Sequence, residues 1–479
     1  MVRKGRLELP RVAPLEPKSS ASTNSATFAH ETASRLLYTR LVAKILRCML
    51  LQSLPRMSRP HAALELSVWA LMAVPLGVLS GGVAGVLAST IFSGAAPVWV
   101  IAIAIALLTG AGPLANVGSL LWAHWSLGRD KVRAVNRLQW LFATALGIAA
   151  FAPVNAGGLA LFVVAILTAQ VLWCGIITIR ASIWRLNYDR SARFAFAADN
   201  QAVVSLIHAI TGGMTGWLVQ TNPGLFRPLL LVTALSAIAS LFRLRRVRVR
   251  RQRQLLNAEL AHGGAGAFRL DRYLGILRDD RLYRHYMTCM MILGTGNLMF
   301  TAPCILIMSR QLGMDSLSQV LITSSLPTLI VPVSARLWSR VLTREHVIGF
   351  RRHNSRWYAI AIAIAATGAA TGVPAMLWAS AIVFGIAMGG GMLGWTLGHN
   401  DFAPEEQVAD YLGLHVSLTG LRGLVAPLIG VWVYWTLERA GPGLGRWALL
   451  LPLILTTCGT VAFSALYRRH IAATGNPAS

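Results

Sequence analysis

The sequence predicts an all-α integral membrane protein in which twelve transmembrane helices form two six-helix bundles. Three observations predict it. The chain of 479 residues is 55% hydrophobic and only 13% charged, about half the charge of an average soluble domain. Its apolar residues gather into stretches near the length that crosses a bilayer, about 20 residues. The loops between those stretches alternate between strongly basic and almost uncharged.

In chain order, the apolar stretches lie near 63–90, 97–122, 138–154, 157–179, 201–220, 225–242, 285–308, 317–337, 357–371, 374–397, 411–436 and 447–466. Several are separated only by brief turns carrying Gly or Pro, such as "SGAAP", "PVNAGG" and "TGVP". The basic loops are "GRDKVRAVNR", "RLNYDRSAR", the stretch from Arg243 to Arg284, and "TREHVIGFRRHNSR". After residue 60, these loops with the residues flanking them (Arg180, Arg336 and Arg340) and the C-terminal tail carry 28 Lys and Arg, against four in the other loops. The positive-inside rule then places both termini in the cytoplasm. A net charge of +26 would point a soluble domain toward nucleic acid. Here the topology accounts for the excess, and no nucleic-acid partner is expected.

The 243–284 segment is expected to be a basic cytoplasmic linker between domains at 61–242 and 285–470, followed by a tail at 471–479. Its opening, "RLRRVRVRRQRQ", has the composition of a run that anchors to anionic lipid headgroups. Residues 1–60 are expected to be disordered or spurious. "RKGRLELPRVAPLEPKSSASTNSATFA" resembles the translated complement of a bacterial leucine transfer-RNA gene, which makes Met57 the expected initiator. The other reading of this region is a basic amphipathic helix over 33–54 lying on the membrane.

Five cysteines, Cys48, Cys174, Cys289, Cys304 and Cys458, stand apart without a C-x-x-C pair. Neither zinc nor a disulfide framework is indicated, and the cysteines read as small packing residues. No G-x-x-x-x-G-K, H-E-x-x-H or G-x-S-x-G pattern is present, so ATP hydrolysis, zinc proteolysis and serine hydrolysis lack support. No enzyme activity and no cofactor are expected.

The two halves resemble each other at an offset of about 213 residues. "HWSLGRDKV" (124–132) corresponds to "LWSRVLTREHV" (337–347), and "ADNQAVVSLIHAITGGMTGWLV" (198–219) to "ADYLGLHVSLTGLRGLVAPLIGVWV" (409–433). Duplication of an even unit gives a parallel repeat about an axis along the membrane normal. That arrangement resembles the major facilitator superfamily. Its loop between the second and third helices reads roughly G-x-x-x-D-R-x-G-R-[KR], and "WSLGRDKVR" keeps Gly128, Arg129, Lys131 and Arg133 beside Asp130. The sequence departs from the motif at Trp125 and Ser126, where the family's Asp and first Arg would stand. "TGGMTG" (211–216) and "RGLVAPLIG" (422–430) are similar to a Gly/Pro-rich motif associated with antiporters. The resemblance covers about residues 60–470.

Helical spacing organises the polar residues inside the spans. His415, Thr419 and Arg422 fall at i, i+4 and i+7, forming one polar stripe in the eleventh span. The small residues Gly420, Gly423, Pro427 and Gly430 form an adjoining stripe suited to close helix packing. His208, Thr211 and Thr215 repeat the pattern in the fifth span. Gln170 and Trp173, Asn297, and Trp395 fall at similar depth in the fourth, seventh and tenth spans, and Asn116 lies nearer the cytoplasm in the second. In the superfamily the first, fourth, seventh and tenth helices line a central cavity. The resemblance therefore implies that Gln170, Trp173, Asn297 and Trp395 face it.

Arg422 is expected to be the only Lys or Arg inside a span, with Glu65 at a span edge as the one carboxylate. A guanidinium near the bilayer centre costs roughly 2.5–3.5 kcal/mol on insertion scales. Its partner is then either a set of carbonyls and amides on a neighbouring helix, Asn116 among them, or an anionic group brought by a substrate. The resemblance implies a monomeric secondary transporter of the bacterial inner membrane, moving a small organic solute, an anionic one on the second reading of Arg422, among membrane lipids. The rival expectation is a membrane sensor or scaffold that keeps the fold without transport.

Overall fold

A computed structural model describes residues 54–55, 58–261, 270–404 and 407–474. The expectations for residues 1–53, the Met57 start, Cys48 and the last five residues lie outside them. Before the linker, the helices are α1 (Arg59–Leu79), α2 (Gly81–Ile91), α3 (Val98–Ala115), α4 (Ser119–Ser126), α5 (Lys131–Ala150), α6 (Ala156–Asn187), α7 (Arg190–Thr221) and α8 (Phe226–Leu244). The linker carries α9 (Gln252–Ala261) and α10 (Leu270–Asp279). After it come α11 (Arg281–Arg310), α12 (Ser316–Val320), α13 (Leu326–Leu342), α14 (Val347–Thr371), α15 (Pro374–Leu397), α16 (Val408–Ala440) and α17 (Leu450–Thr474). Ten helical segments among the described residues are long and apolar enough to cross a membrane. Large apolar side chains face outward, among them Trp432 and Val333 at 66% and 67% exposed, as lipid-facing surfaces require.

Three apolar stretches that read as single spans are interrupted. α1 and α2 meet at Ser80, whose extended ψ of 139° breaks the helix. α3 passes through a 3-10 turn at Asn116–Gly118 before α4, just after Pro113. A π-helical turn over Leu321–Ser325 joins α12 to α13, ahead of Pro327. Proline frees a carbonyl one turn back, so each break exposes backbone groups that need partners. At the first break, Gln170 Nε2 of α6 donates to the Leu79 carbonyl at 2.7 Å.

Several helices run further at the basic end than hydropathy predicts. α6 continues eight residues to Asn187, and α14 begins ten residues early at Val347. Aspartates mark the helix starts there. Asp130, Asp189 and Asp280 each accept the backbone N–H of the residue three further on, satisfying donors that the helix leaves open. Polar residues expected in loops therefore lie within helices, among them Arg180, Arg351 and Asp199. Arg180, Asp199 and Glu438 fall within helices long and apolar enough to cross a membrane, so Arg422 and Glu65 are not alone in such segments. Of the cysteines, Cys174, Cys289 and Cys304 are buried in packing positions, whereas Cys458 is exposed.

Helices on either side of the linker meet along two seams. α3 crosses α16 where Gly110 and Pro113 face Gly423, and Val117 faces Gly420. α7 packs on α12 and α13, with Gly212 against Ser325 and Gly216 against Leu317. Near the middle, Ser80 and Ser324 share a 2.6 Å hydrogen bond, and toward the uncharged end Thr90 and Ser316 share one of 2.9 Å. Small residues permit this approach because lipid supplies no hydrophobic drive to hold helices together.

The α3–α16 crossing is directly testable. An added Cβ at Gly423 would lie 2.6 Å from the Leu114 nitrogen and from Pro113 Cβ, with backbone rather than a flexible side chain in the way. Overpacking of this kind costs about 1–3 kcal/mol. Gly423→Ala should lower the unfolding temperature of the purified protein by a few degrees, while Gly112→Ala, at a glycine with nothing within 4 Å, should leave it unchanged.

Candidate functional site

Before the linker, a polar cluster is built by α1 and α6. Glu65 is 1% exposed. Its Oε1 accepts a hydrogen bond from Asn187 Nδ2 at 3.2 Å and lies 3.9 Å from His61 Nδ1, while its Oε2 has no partner. His61 Nδ1 also lies 3.3 Å from the Tyr188 hydroxyl. Burial, with the Glu65 charge adding to it, pushes the Tyr188 phenol up from its ordinary value, so it stays protonated. Nearby, the Arg180 guanidinium sits 4.4 Å over the Trp184 ring, 4.7 Å over Trp69 and 5.9 Å over Trp173. Arg180 and Glu65 act on each other electrostatically. The tryptophan faces hold the cation by the ring quadrupole and exclude water from it.

After the linker, a second cluster joins α11, α14, α15 and α16. Arg422 is 4% exposed. Its Nη1 donates to the Met290 carbonyl of α11, and its Nη2 to Thr419 Oγ1 at 2.7 Å. Gly294 leaves the room that the guanidinium fills. Thr419 donates in turn to the His415 carbonyl at 2.9 Å and accepts from Trp395 Nε1 at 3.4 Å. His415 is 1% exposed, and neither ring nitrogen has a partner. The Trp395 ring meets it edge-on with centroids 6.1 Å apart.

Arg351 of α14 reaches the same region. It is 2% exposed, and an added Cβ at Gly394, next to Trp395, would lie 2.8 Å from its Cζ. Its Nε and Nη2 have no hydrogen-bond partner, and neither has Arg422 Nε. His399, 3% exposed, adds a further unpartnered nitrogen. Burial lowers the His399 imidazole below its ordinary value, against the opposing charge of Asp401, so the ring is neutral near pH 7. Among the described residues this cluster holds two buried guanidiniums, and neither makes an ion pair with a carboxylate.

The remaining predicted residues divide. Gln170 bonds the broken α1 backbone, and Asn297 Oδ1 accepts from Thr456 Oγ1 of α17 at 3.3 Å; both are helix-to-helix ties. Asn116 is half-buried in the 3-10 turn and makes no hydrogen bond to Arg422, so the clamp on Arg422 is carried by Met290 and Thr419. His208 is half-buried, with its Nε2 unpartnered. Trp173 belongs to the Arg180 cage, and Trp395, Thr419 and His415 to the Arg422 cluster.

In the 128–133 loop, Gly128 adopts a φ of 65°, which favours glycine. Its N–H donates to Glu259 Oε2 of the linker at 2.7 Å. Lys131, 1% exposed, donates to the same carboxylate at 2.8 Å and to the Ser126 carbonyl at 2.6 Å. Arg129 stacks 4.4 Å over Trp125, one of the two motif departures, and Arg133, 83% exposed, holds its Nε 3.7 Å from Asp130 Oδ2. The carboxylate absent from the loop motif thus arrives from α9.

Sequence reasoning missed Arg180, Arg351, His399 and Glu259. A signal existed for the first: Trp173, Arg180 and Trp184 recur at i, i+7 and i+11, on one helix face. Arg351 sat in a run of charges that read as loop.

A chain of long apolar helices, paired across a basic linker by glycine-rich crossings, has the fold of the major facilitator transporters. No family model and no curated protein matches the sequence. Among solved structures, the chain is similar to a point mutant of the nucleoside transporter NupG, at 16% identity and a TM-score of 0.56, covering 84% of this chain and 100% of that one. It is similar to a D-xylose-proton symporter at 14% identity and a TM-score of 0.58, covering 85% and 96%. A POT family transporter in complex with a thioalcohol-conjugated peptide matches at 12% identity and a TM-score of 0.62, covering 88% and 99%.

The Lys131–Glu259 pair gives a prediction. Removing one member of a buried ion pair leaves a buried charge unpaired, at roughly 3 kcal/mol or more. Glu259→Gln should therefore lower the unfolding temperature clearly, and adding Lys131→Met should recover most of the loss. Simple addition of the two single effects would exclude the coupling.

Proposed function

We propose that the chain is a secondary transporter that moves a small anionic organic solute by alternating access. The observation that carries this reading is the pair of buried guanidiniums, Arg351 and Arg422, with N–H groups aimed at no protein acceptor. Charges held this way are costly unless an anion completes them. A carboxylate or phosphate on the solute would accept from these groups, with Thr419, His415 and Trp395 orienting it. Arg422 would keep its hold on the Met290 carbonyl while its Nε turns to the solute. The fold shared with nucleoside, xylose and peptide transporters supports the class of activity.

In this reading α5 and α14 complete a set of twelve spans in two six-helix bundles, over 61–242 and 285–470, joined by the linker at 243–284. Both helices carry basic first turns that keep them out of a simple hydropathy window, Lys131 and Arg133 in one and Arg351 and Arg352 in the other. The protein acts as a monomer in a bacterial inner membrane with its basic end cytoplasmic. Glu65 is the buried carboxylate best situated to couple solute movement to protons, because it is 1% exposed and His61 links it to the more exposed end of α1.

Two experiments test this. Reporter fusions after residues 95, 155 and 372 should read periplasmic, and those after 133 and 260 cytoplasmic; a cytoplasmic reading at 372 would break the twelve-span scheme. In proteoliposomes, flux of a panel of labelled carboxylates, phosphorylated metabolites and neutral solutes should find an anionic substrate. Arg351→Gln and Arg422→Gln should each reduce its flux at least tenfold while the protein stays monodisperse. Transport confined to neutral solutes would defeat the assignment, and ligand binding without flux would favour a sensor.

A further inference from the structure

The linker does more than connect the two parts of the chain. Where it leaves α8 it folds back over the first turns of α5 and borders an open cavity of about 1160 Å³. Six arginines line it: Arg133 and Arg137 from α5, and Arg245, Arg248, Arg251 and Arg253 from the linker. The only carboxylate in the lining is Asp130, and its Oδ1 is already engaged in capping α5 at Arg133 N, 2.9 Å away. Among the described residues, Arg137, Arg248, Arg251 and Arg253 donate no side-chain hydrogen bond. Six like charges around one cavity repel, and their natural complement is an anion.

The frame of the cavity is fixed independently of those side chains. On one side, Arg250 N donates to Asn187 Oδ1 at 3.0 Å, and the Arg248 carbonyl lies 3.0 Å from His61 Nε2. On the other, α9 is held by Glu259 on Lys131 and Gly128. Between them Arg251 takes a φ of 52°, a left-handed conformation uncommon outside glycine. The backbone turn there is stabilised by its neighbours; Arg133 pairs with Asp130 and Arg245 lies over the Phe242 ring, while the guanidiniums of Arg137, Arg248, Arg251 and Arg253 donate no side-chain hydrogen bond among the described residues.

What surrounds the cavity indicates the source of the anion. Trp140 lines it and is 42% exposed, and the adjoining Leu141 and Phe242 are 55% and 53% exposed. A tryptophan between a basic pocket and an apolar surface marks the headgroup level of a bilayer. A free phosphate needs no such apolar margin, whereas a phospholipid places its phosphate on the arginines and its chains along these side chains.

We infer that the cavity between α5 and the linker is a binding site for the phosphate of an anionic phospholipid from the leaflet at the basic end. Guanidinium forks match phosphate oxygens in pairs, and the volume accommodates a headgroup. This site is separate from the Arg351–Arg422 cluster and does not depend on the transport reading.

The test uses the full chain in detergent micelles, with unfolding temperature and native mass spectrometry as readouts. Added phosphatidylglycerol should raise the unfolding temperature by several degrees, and at least one lipid should remain bound in the mass spectrum. Phosphatidylcholine should do neither. In an Arg137→Gln, Arg248→Gln double variant, phosphatidylglycerol should bind roughly thirtyfold more weakly, given the usual contribution of each basic residue near an anionic surface. The unfolding temperature without lipid should be unchanged, which excludes a folding defect. An equal shift in the double variant would overturn the site. A full shift from millimolar inorganic phosphate, with nothing added by phosphatidylglycerol, would overturn the lipid as its occupant.

Discussion

A charge or an open backbone group inside a bilayer must find its partner within the chain or bring one in. Nearly every distinctive feature of this protein follows from that constraint. The break at Ser80 leaves the Leu79 carbonyl open, and Gln170 closes it. Arg180 is enclosed by three tryptophan rings and acts on Glu65. Lys131 is buried against Glu259 and a carbonyl. The rule is not fully met internally at Arg351 and Arg422, where Arg351 Nε and Nη2 and Arg422 Nε have no hydrogen-bond partner.

The two polar clusters differ in kind. The Glu65 cluster contains a countercharge, since Arg180 acts on the Glu65 carboxylate. The Arg422 cluster contains no carboxylate partner among its described residues. On the proposed function, that difference would suit the second cluster to recognising an anion. The seams at Gly110–Gly423 and Gly216–Leu317 are close approaches of helices through small residues.

The linker holds the 128–133 loop. Glu259 supplies it with a carboxylate from α9, and the arginines preceding Glu259 line the basic cavity beside it. On the proposed lipid site, the dense charge that at first reads as simple topology would serve a second contact.

The fold class was legible in the sequence because hydrocarbon length and loop charge are properties of composition along the chain. The small-residue stripe at Gly420, Gly423, Pro427 and Gly430, and the stripe of His415, Thr419 and Arg422 were legible because helical period places them without knowledge of any neighbour. Tertiary structure decided the rest. The ends of α6 and α14 extend past the apolar windows, since packing supports polar turns that hydropathy counts as loop, with the first N–H groups of α14 bonded to Asp401 and His346. Arg180 and Arg351 were hidden for that reason. Whether an arginine is caged, clamped or left open depends on which groups other helices bring within hydrogen-bond reach. Glu259 is 128 residues from Lys131 in sequence, and no local pattern connects them. Periodicity fixes which face of a helix a residue occupies, and only the packed chain determines what that face meets.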